Sequence, residues 1–210
     1  MVLSPPAPAP SPWFFRFGAV CGILSGLFIG LPGAVEAFTG ETAATSFVLG
    51  LSPALATPLL VALHLRQEGA AGRAGRVAYA VNLVGLGLFG GAAFTLNMAL
   101  FGLDDATLEE VLTGTTRVAL LGSAVVFAAG TVLFGLAMVR TGLYPKLPSW
   151  GYAVMLGALA LLGPLPDSVL TSLVHVLAGA SVVWLSLSLW GWARSAATAV
   201  RGPAPSVSLP

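Results

Sequence analysis

Hydrophobic positions fill this chain in long continuous windows that end only where charged residues begin. An ionised side chain near a bilayer centre costs at least about 2.5 kcal/mol, so reading from charge to charge locates the segments that lipid would tolerate. Six windows result, at about 17–35, 44–65, 77–102, 118–139, 148–166 and 168–193. Each holds close to the roughly 20 residues that carry a helix, at about 1.5 Å per residue, across a hydrocarbon core of about 30 Å. The pattern predicts an all-α, polytopic transmembrane helix bundle of six spans over residues 13–194, flanked by disordered tails at 1–12 and 195–210. Residues 1–12 hold five prolines and no charged side chain, so they can neither sustain a helix nor bury a core. A membrane β-barrel would show alternating segments of about ten residues in place of these runs of Gly, Ala and Leu.

Sorting the charges by connection gives an orientation. Arg16, then Arg66, Arg73 and Arg76, then Arg140 and Lys146, then Arg194 and Arg201 fall on one side, leaving Arg117 as the ninth basic residue on the other. The positive-inside rule makes the Arg-rich side, with both termini, cytoplasmic. Glu36, Glu41, Asp104, Asp105, Glu109, Glu110 and Asp167 fall opposite, and Glu68 is the one acid inside. The five tryptophans are assigned to the cytoplasmic ends of their windows, where amphipathic rings anchor at the headgroups. Composition agrees: 8% of residues are charged, against about 25% in a soluble domain, so no soluble catalytic domain fits beside the spans. A net charge of +1 offers no surface for nucleic acid. The lipid bilayer is the first partner, and the bacterial cytoplasmic membrane the expected location.

Within the first window Gly18, Gly22, Gly26 and Gly30 recur at every fourth residue, a run of small-xxx-small steps that predicts a helix-packing face. Ala19 falls off that stripe. The same segment carries features of a signal peptide with a cleavage site near Val35-Glu36-Ala37, but a discarded segment has no use for such a face. The lone Cys21 reads as a small packing residue.

Chemically capable side chains inside the windows are few. Asn82 and Asn97 lie in the third, Ser123 in the fourth, His175 in the sixth, and Thr57 beside Pro53 and Pro58 in the second. A proton pump or ion-coupled carrier usually places an Asp, Glu or Lys on its pathway, and none stands at mid-depth. Asn82, Asn97 and His175 read first as residues bonded to a neighbouring helix, because a polar group in lipid must find a partner. The alternative is that His175, Asn82, Asn97 and Thr57 line a path for a neutral or weakly polar solute. A bis-histidine haem fails on depth, since His64 and His175 differ by roughly 15 to 20 Å at about 1.5 Å per residue. No metal, phosphate or other cofactor motif appears, so the expected cofactor list is empty.

Ser123 and the run His175-Val176-Leu177-Ala178-Gly179 resemble the catalytic serine and histidine of rhomboid intramembrane proteases in span order and depth. That likeness makes Ser123 and His175 weak catalytic candidates. The family's Gly-x-Ser-Gly is absent from Leu121-Gly122-Ser123-Ala124, and the second span lacks an oxyanion donor in its outer half. Separately, the stretch from Phe134 to Gly157, with its Arg140-x-Gly142-x-x-Pro145 link, and the Trp-Leu-rich close around Trp184 to Arg194 resemble a broad group of uncharacterised six-span bacterial membrane proteins. That resemblance implies a topology and brings no activity. The expectation is a non-enzymatic bundle that acts through contact with a second copy of itself or a membrane partner.

Overall fold

The structure is a computed structural model and describes residues 11–163 and 168–200. Most of the first tail, the end of the fifth window and the final ten residues lie outside the described residues. Every regular element among those described is helical: α1 (Pro12–Thr39), α2 (Ala43–Phe94), a π-helical turn (Thr95–Ala99), α3 (Asp105–Val111), α4 (Gly114–Thr141), α5 (Lys146–Leu162) and α6 (Val169–Val200). Four helical stretches, Pro12–Thr39, Ala43–Ala99, Gly114–Thr141 and Val169–Thr198, are long and apolar enough to cross a membrane, and Lys146–Leu162 is a shorter apolar helix.

The longest element is two limbs. Gly72 adopts φ 59° and ψ −154° inside α2, a conformation open essentially to glycine, and the chain doubles back there. Contacts between the limbs record the return: the His64 and Tyr79 rings stack with centroids 3.8 Å apart, and a Cβ at Gly90 would lie 3.0 Å from Pro53. Arg66, Glu68, Arg73 and Arg76 all sit within this helical hairpin. Charge marks where lipid ends, but backbone hydrogen bonding continues past that level. For the same reason α6 continues through Val200, six residues into the stretch read as a tail. Ser195-Ala196-Ala197-Thr198 contains no helix breaker, and the first come at Gly202 and Pro203.

The helices close into a ring in the order α1, α2, α4, α5, α6 and back to α1. Every junction is antiparallel. Gly18 meets Pro58 and Ala62, Gly85 meets Phe127 while Gly130 meets Asn82, Gly135 meets Ala153, and Gly26 meets Gly179 and Val183. Small residues make the closest backbone approaches at these contacts, and large apolar residues are found both in the core, as Leu59, Leu63, Phe134 and Leu185, and on the outside. On α4, Ser123, Ala124, Ala128, Gly130, Thr131 and Gly135 are buried together with Phe127, Phe134 and Met138, whereas Val118, Leu121, Val125, Val132 and Leu133 are exposed. Close backbone approach at glycine, with exposed Val and Leu on the outer face, is an arrangement that suits lipid.

Two details differ from the sequence reading. Ala19 is fully buried, because α1 is gripped by both α2 and α6 and its contact arc is wider than one stripe. Trp184 is level with Gly26, which touches Val183, and so sits halfway along α6, 49% exposed, away from the headgroup level assigned to it. The connections are built conventionally. A reciprocal Thr42–Thr45 capping box starts α2, and Gly142, left-handed at φ 66°, ends α4 with its N–H on Met138 O.

Candidate functional site

Where lipid supplies no hydrogen bonds, each polar side chain in a span must be satisfied from within the protein, so the partners of these side chains indicate how far each is available for other work. Asn82 is fully buried where the second limb of α2 meets α4 and α5. Its Nδ2 donates to Tyr152 Oη at 2.7 Å, and its Oδ1 has no partner among the described residues. Thr57 Oγ1 donates to Pro53 O at 3.2 Å, and Asn97 Nδ2 to Ala93 O at 2.9 Å. Both are bonds within the residue's own helix, and Asn97 lies in the π-helical turn beside Gly50.

His175 is half-buried against α1, where it would collide with any Cβ at Gly33. Its Nδ1 lies 2.8 Å from Thr171 O. A carbonyl only accepts, so Nδ1 carries a proton in this contact. Thr171 and Ser168 exchange bonds at the start of α6, with Thr171 N–H on Ser168 Oγ at 3.3 Å and Ser168 N–H on Thr171 Oγ1 at 2.8 Å. The outer hydroxyls of this polar strip therefore cap a helix. Ser123 Oγ donates to Leu120 O at 2.7 Å. Ser123 stands on α4 and His175 on α6, with α5 between them in the ring, and no hydrogen bond joins them among the described residues.

No hydrogen bond joins Asn82, Asn97, Thr57 and His175 to one another among the described residues. At the centre of the ring is a cavity of about 40 Å³, lined from all five long helices by residues including Ser25, Ser52, Pro53, Phe127, Tyr152 and Val182. It has room for a very few water molecules. Ser25 Oγ crosses to Ser52 O at 2.9 Å, and of the four solute-path candidates none lines this space.

A second polar concentration, at the end of the bundle that carries most of the arginines, was not read from the sequence. Arg66 Nη2 donates to Leu143 O at 2.8 Å, and Tyr144 Oη donates to Leu63 O at 2.8 Å. These reciprocal bonds pin the α4–α5 link to the first limb of α2. The Arg66 guanidinium lies 4.6 Å from the Tyr144 ring centroid and 5.0 Å from that of Trp192, and Trp192 packs edge-on to Phe15 at 4.9 Å. Burial pushes the Tyr144 phenol above its ordinary range, with the Arg66 charge pulling the other way, so Tyr144 acts as a neutral donor. Gln67 is fully buried beside Thr141. Polar residues within a turn of Leu63 at the edge of an apolar window are the local signal of this cluster, and the bonds that build it span 77 residues from Arg66 to Leu143 and 81 from Leu63 to Tyr144. Among the described residues no group of three or more His, Cys, Asp or Glu side chains could hold a metal ion.

No protein-family model, curated protein or solved structure matches this chain.

Proposed function

We propose that the chain is a six-span protein of the bacterial cytoplasmic membrane, with both termini cytoplasmic, acting as a non-enzymatic bundle through contact with a second copy of itself or a membrane partner. The span count rests on treating the limbs of α2 on either side of Gly72 as separate crossings and α5 as a short one. The orientation rests on the arginine distribution. The observation that carries the functional reading is that polar side chains in the spans are used internally: Ser25 on Ser52 O, Asn82 on Tyr152, Ser186 on Val182 O, and His175 on Thr171 O. Trp184 adds to it. An indole at mid-height on the outer face is far from the headgroups that normally satisfy its N–H, and a partner helix would supply an acceptor there.

The second reading, a small permease for a neutral solute, draws on the central cavity that touches every long helix. The two readings separate in one set of experiments. A reporter active only in the cytoplasm should respond at residues 70, 144 and 200 and stay silent at 107; a signal at 107 refutes the orientation. Purification in mild detergent should give a defined homo-oligomer or a stoichiometric partner, weakened by Trp184→Leu. A monomer that instead accelerates glycerol or urea entry into vesicles would replace the first reading with the second.

A further inference from the structure

Three nitrogens within one turn of the first limb of α2 are buried without a hydrogen-bond partner among the described residues: His64 Nδ1, Arg66 Nη1 and Gln67 Nε2. Arg66 Nη1 and Gln67 Nε2 can only donate. The Gln67 side chain has 0% exposure, and its one polar contact is a long 3.5 Å approach from Thr141 Oγ1, whose hydroxyl already donates to Met138 O at 3.0 Å. Leaving such donors unsatisfied costs about 1 to 3 kcal/mol each, more when charged. A fourth buried nitrogen without a partner, Arg16 Nε, belongs to the same end of the bundle on α1.

The surroundings say what would satisfy them. All of these groups lie at the arginine-rich end, which also holds Arg73, Arg76, Arg140 and Lys146 and whose one acid is the exposed Glu68, so the local charge is positive. Arg66 is held by Leu143 O and sandwiched by Tyr144 and Trp192, so its fork is oriented in advance with one nitrogen committed and one uncommitted. Trp192, 36% exposed, opens this side of the cluster to the surroundings. A planar guanidinium with an adjacent amide donor fits a tetrahedral oxyanion, and basic pockets between helices at a membrane surface are the recurrent setting for phospholipid headgroups.

We propose that the Arg66–Gln67 cluster beneath the α4–α5 link binds a phosphate-bearing anion, supplied by the headgroup of an anionic phospholipid. The proposal rests on the bilayer reading but on neither the span count nor the orientation. Binding there would tie α2, the α4–α5 link and α6 together at one end, making the stability of the bundle depend on lipid composition.

The test reconstitutes the full chain in nanodiscs of phosphatidylcholine alone, or of phosphatidylcholine with phosphatidylglycerol of the same acyl chains. Thermal unfolding and phospholipid retention by native mass spectrometry are the readouts. The expected result is a higher melting temperature with phosphatidylglycerol and one retained phosphatidylglycerol per chain. Arg66→Lys, which keeps the charge but loses the fork, should weaken retention about fivefold. Gln67→Met should melt higher than wild type in phosphatidylcholine, because an orphaned amide is removed, yet gain less from phosphatidylglycerol. Arg73→Gln, exposed at the same end, should behave as wild type. Inorganic phosphate added to phosphatidylcholine discs assigns the source: stabilisation there supports the oxyanion chemistry with a soluble donor, and stabilisation by phosphatidylglycerol alone supports the lipid. The proposal is overturned if neither phosphatidylglycerol nor phosphate shifts the melting temperature. It is equally overturned if Gln67→Met responds as wild type, or if Arg73→Gln loses as much as Arg66→Lys, which would mean diffuse surface charge. Failure of the chain to enter discs at all would strike the bilayer reading instead.

Discussion

The glycine stripe of α1 supplies a prediction whose sign changes between neighbouring positions. A Cβ added at Gly26 would lie 2.6 Å from Gly179 O, 2.8 Å from Val183 Cγ2 and 3.0 Å from Val183 N, while ordinary contact begins at 3.4 Å. Two of those atoms are backbone and cannot rotate away, so Gly26→Ala must push α1 and α6 apart by the difference, 3.4 − 2.6 = 0.8 Å. Overpacking of that kind costs about 1 to 3 kcal/mol. One turn on, a Cβ at Gly30 would meet its nearest neighbours, Gly179 Cα, Val176 O and His175 O, at 3.7, 3.8 and 3.9 Å. Gly30→Ala therefore gains contact without a clash, and alanine is preferred over glycine in a helix by up to roughly 1 kcal/mol. The expected order of stability is Gly30→Ala at or above wild type and Gly26→Ala below it, a spread of about 1 to 4 kcal/mol. Reversible unfolding in mixed micelles titrated with denaturing detergent measures it. Equal stabilities, or a Gly30→Ala protein weaker than Gly26→Ala, would refute the α1–α6 register.

Tyr152→Phe removes the one partner of the Asn82 amide and should destabilise by about 1 to 3 kcal/mol; combining it with Asn82→Leu should recover part of that loss, and strictly additive losses in the same assay would show that the two side chains are uncoupled. His175→Leu should cost less than about 1 kcal/mol, because Thr171 O still accepts the backbone N–H of the helix and no group is stranded; a large loss of melting temperature would reveal a partner on another helix. Asp104 caps α3 by accepting Thr107 N–H at 3.1 Å and the Thr107 hydroxyl at 2.8 Å, and these bonds hold its carboxyl below the ordinary aspartate value. A depressed carboxylate stabilises above its unfolded pKa and loses that contribution as pH falls through the folded value. The protection factor of the Thr107 amide, its exchange rate normalised to the intrinsic rate at each pH, should therefore fall at acid pH in wild type, and Asp104→Ala should abolish that dependence.

The long apolar helices were legible because the penalty for burying a charge in lipid is a local property of each residue. So was the fourfold spacing of Gly18, Gly22, Gly26 and Gly30, because helix geometry converts that spacing into one face. What the spacing does not encode is which neighbour occupies the face. Gly18 meets α2, Gly26 meets α6, and Gly22 lies between Leu59 and Ser186, so the stripe is a three-helix junction and Ala19 is buried with it. Gly69, Gly72 and Gly75 look alike in sequence, yet only Gly72 among them leaves the helical conformation. The choice depends on which break lets His64 reach Tyr79 and Pro53 reach Gly90, contacts formed only after the limbs have paired. The polar candidates show the same division. That Asn82 would need a partner follows from burial in lipid, but Tyr152 is 70 residues away, and His175 satisfies itself on its own helix.

The same reasoning explains why the cluster at Arg66 and Gln67 escaped a reading built on spans. A residue just outside an apolar window is expected to meet water or headgroups, and an arginine there reads as a topology marker. The fold instead lowers Tyr144 and the α4–α5 link onto α2, leaving Arg66 half-buried and Gln67 as inaccessible as Leu63, one turn earlier. Burial makes polar atoms expensive, and expense is informative where the partners run short. Deep in the spans most polar donors found a carbonyl or hydroxyl within the chain. At this end three neighbouring nitrogens did not, so the strongest demand for an external acceptor lies at the arginine-rich rim of the bundle, and bilayer composition is the first variable that should change its stability.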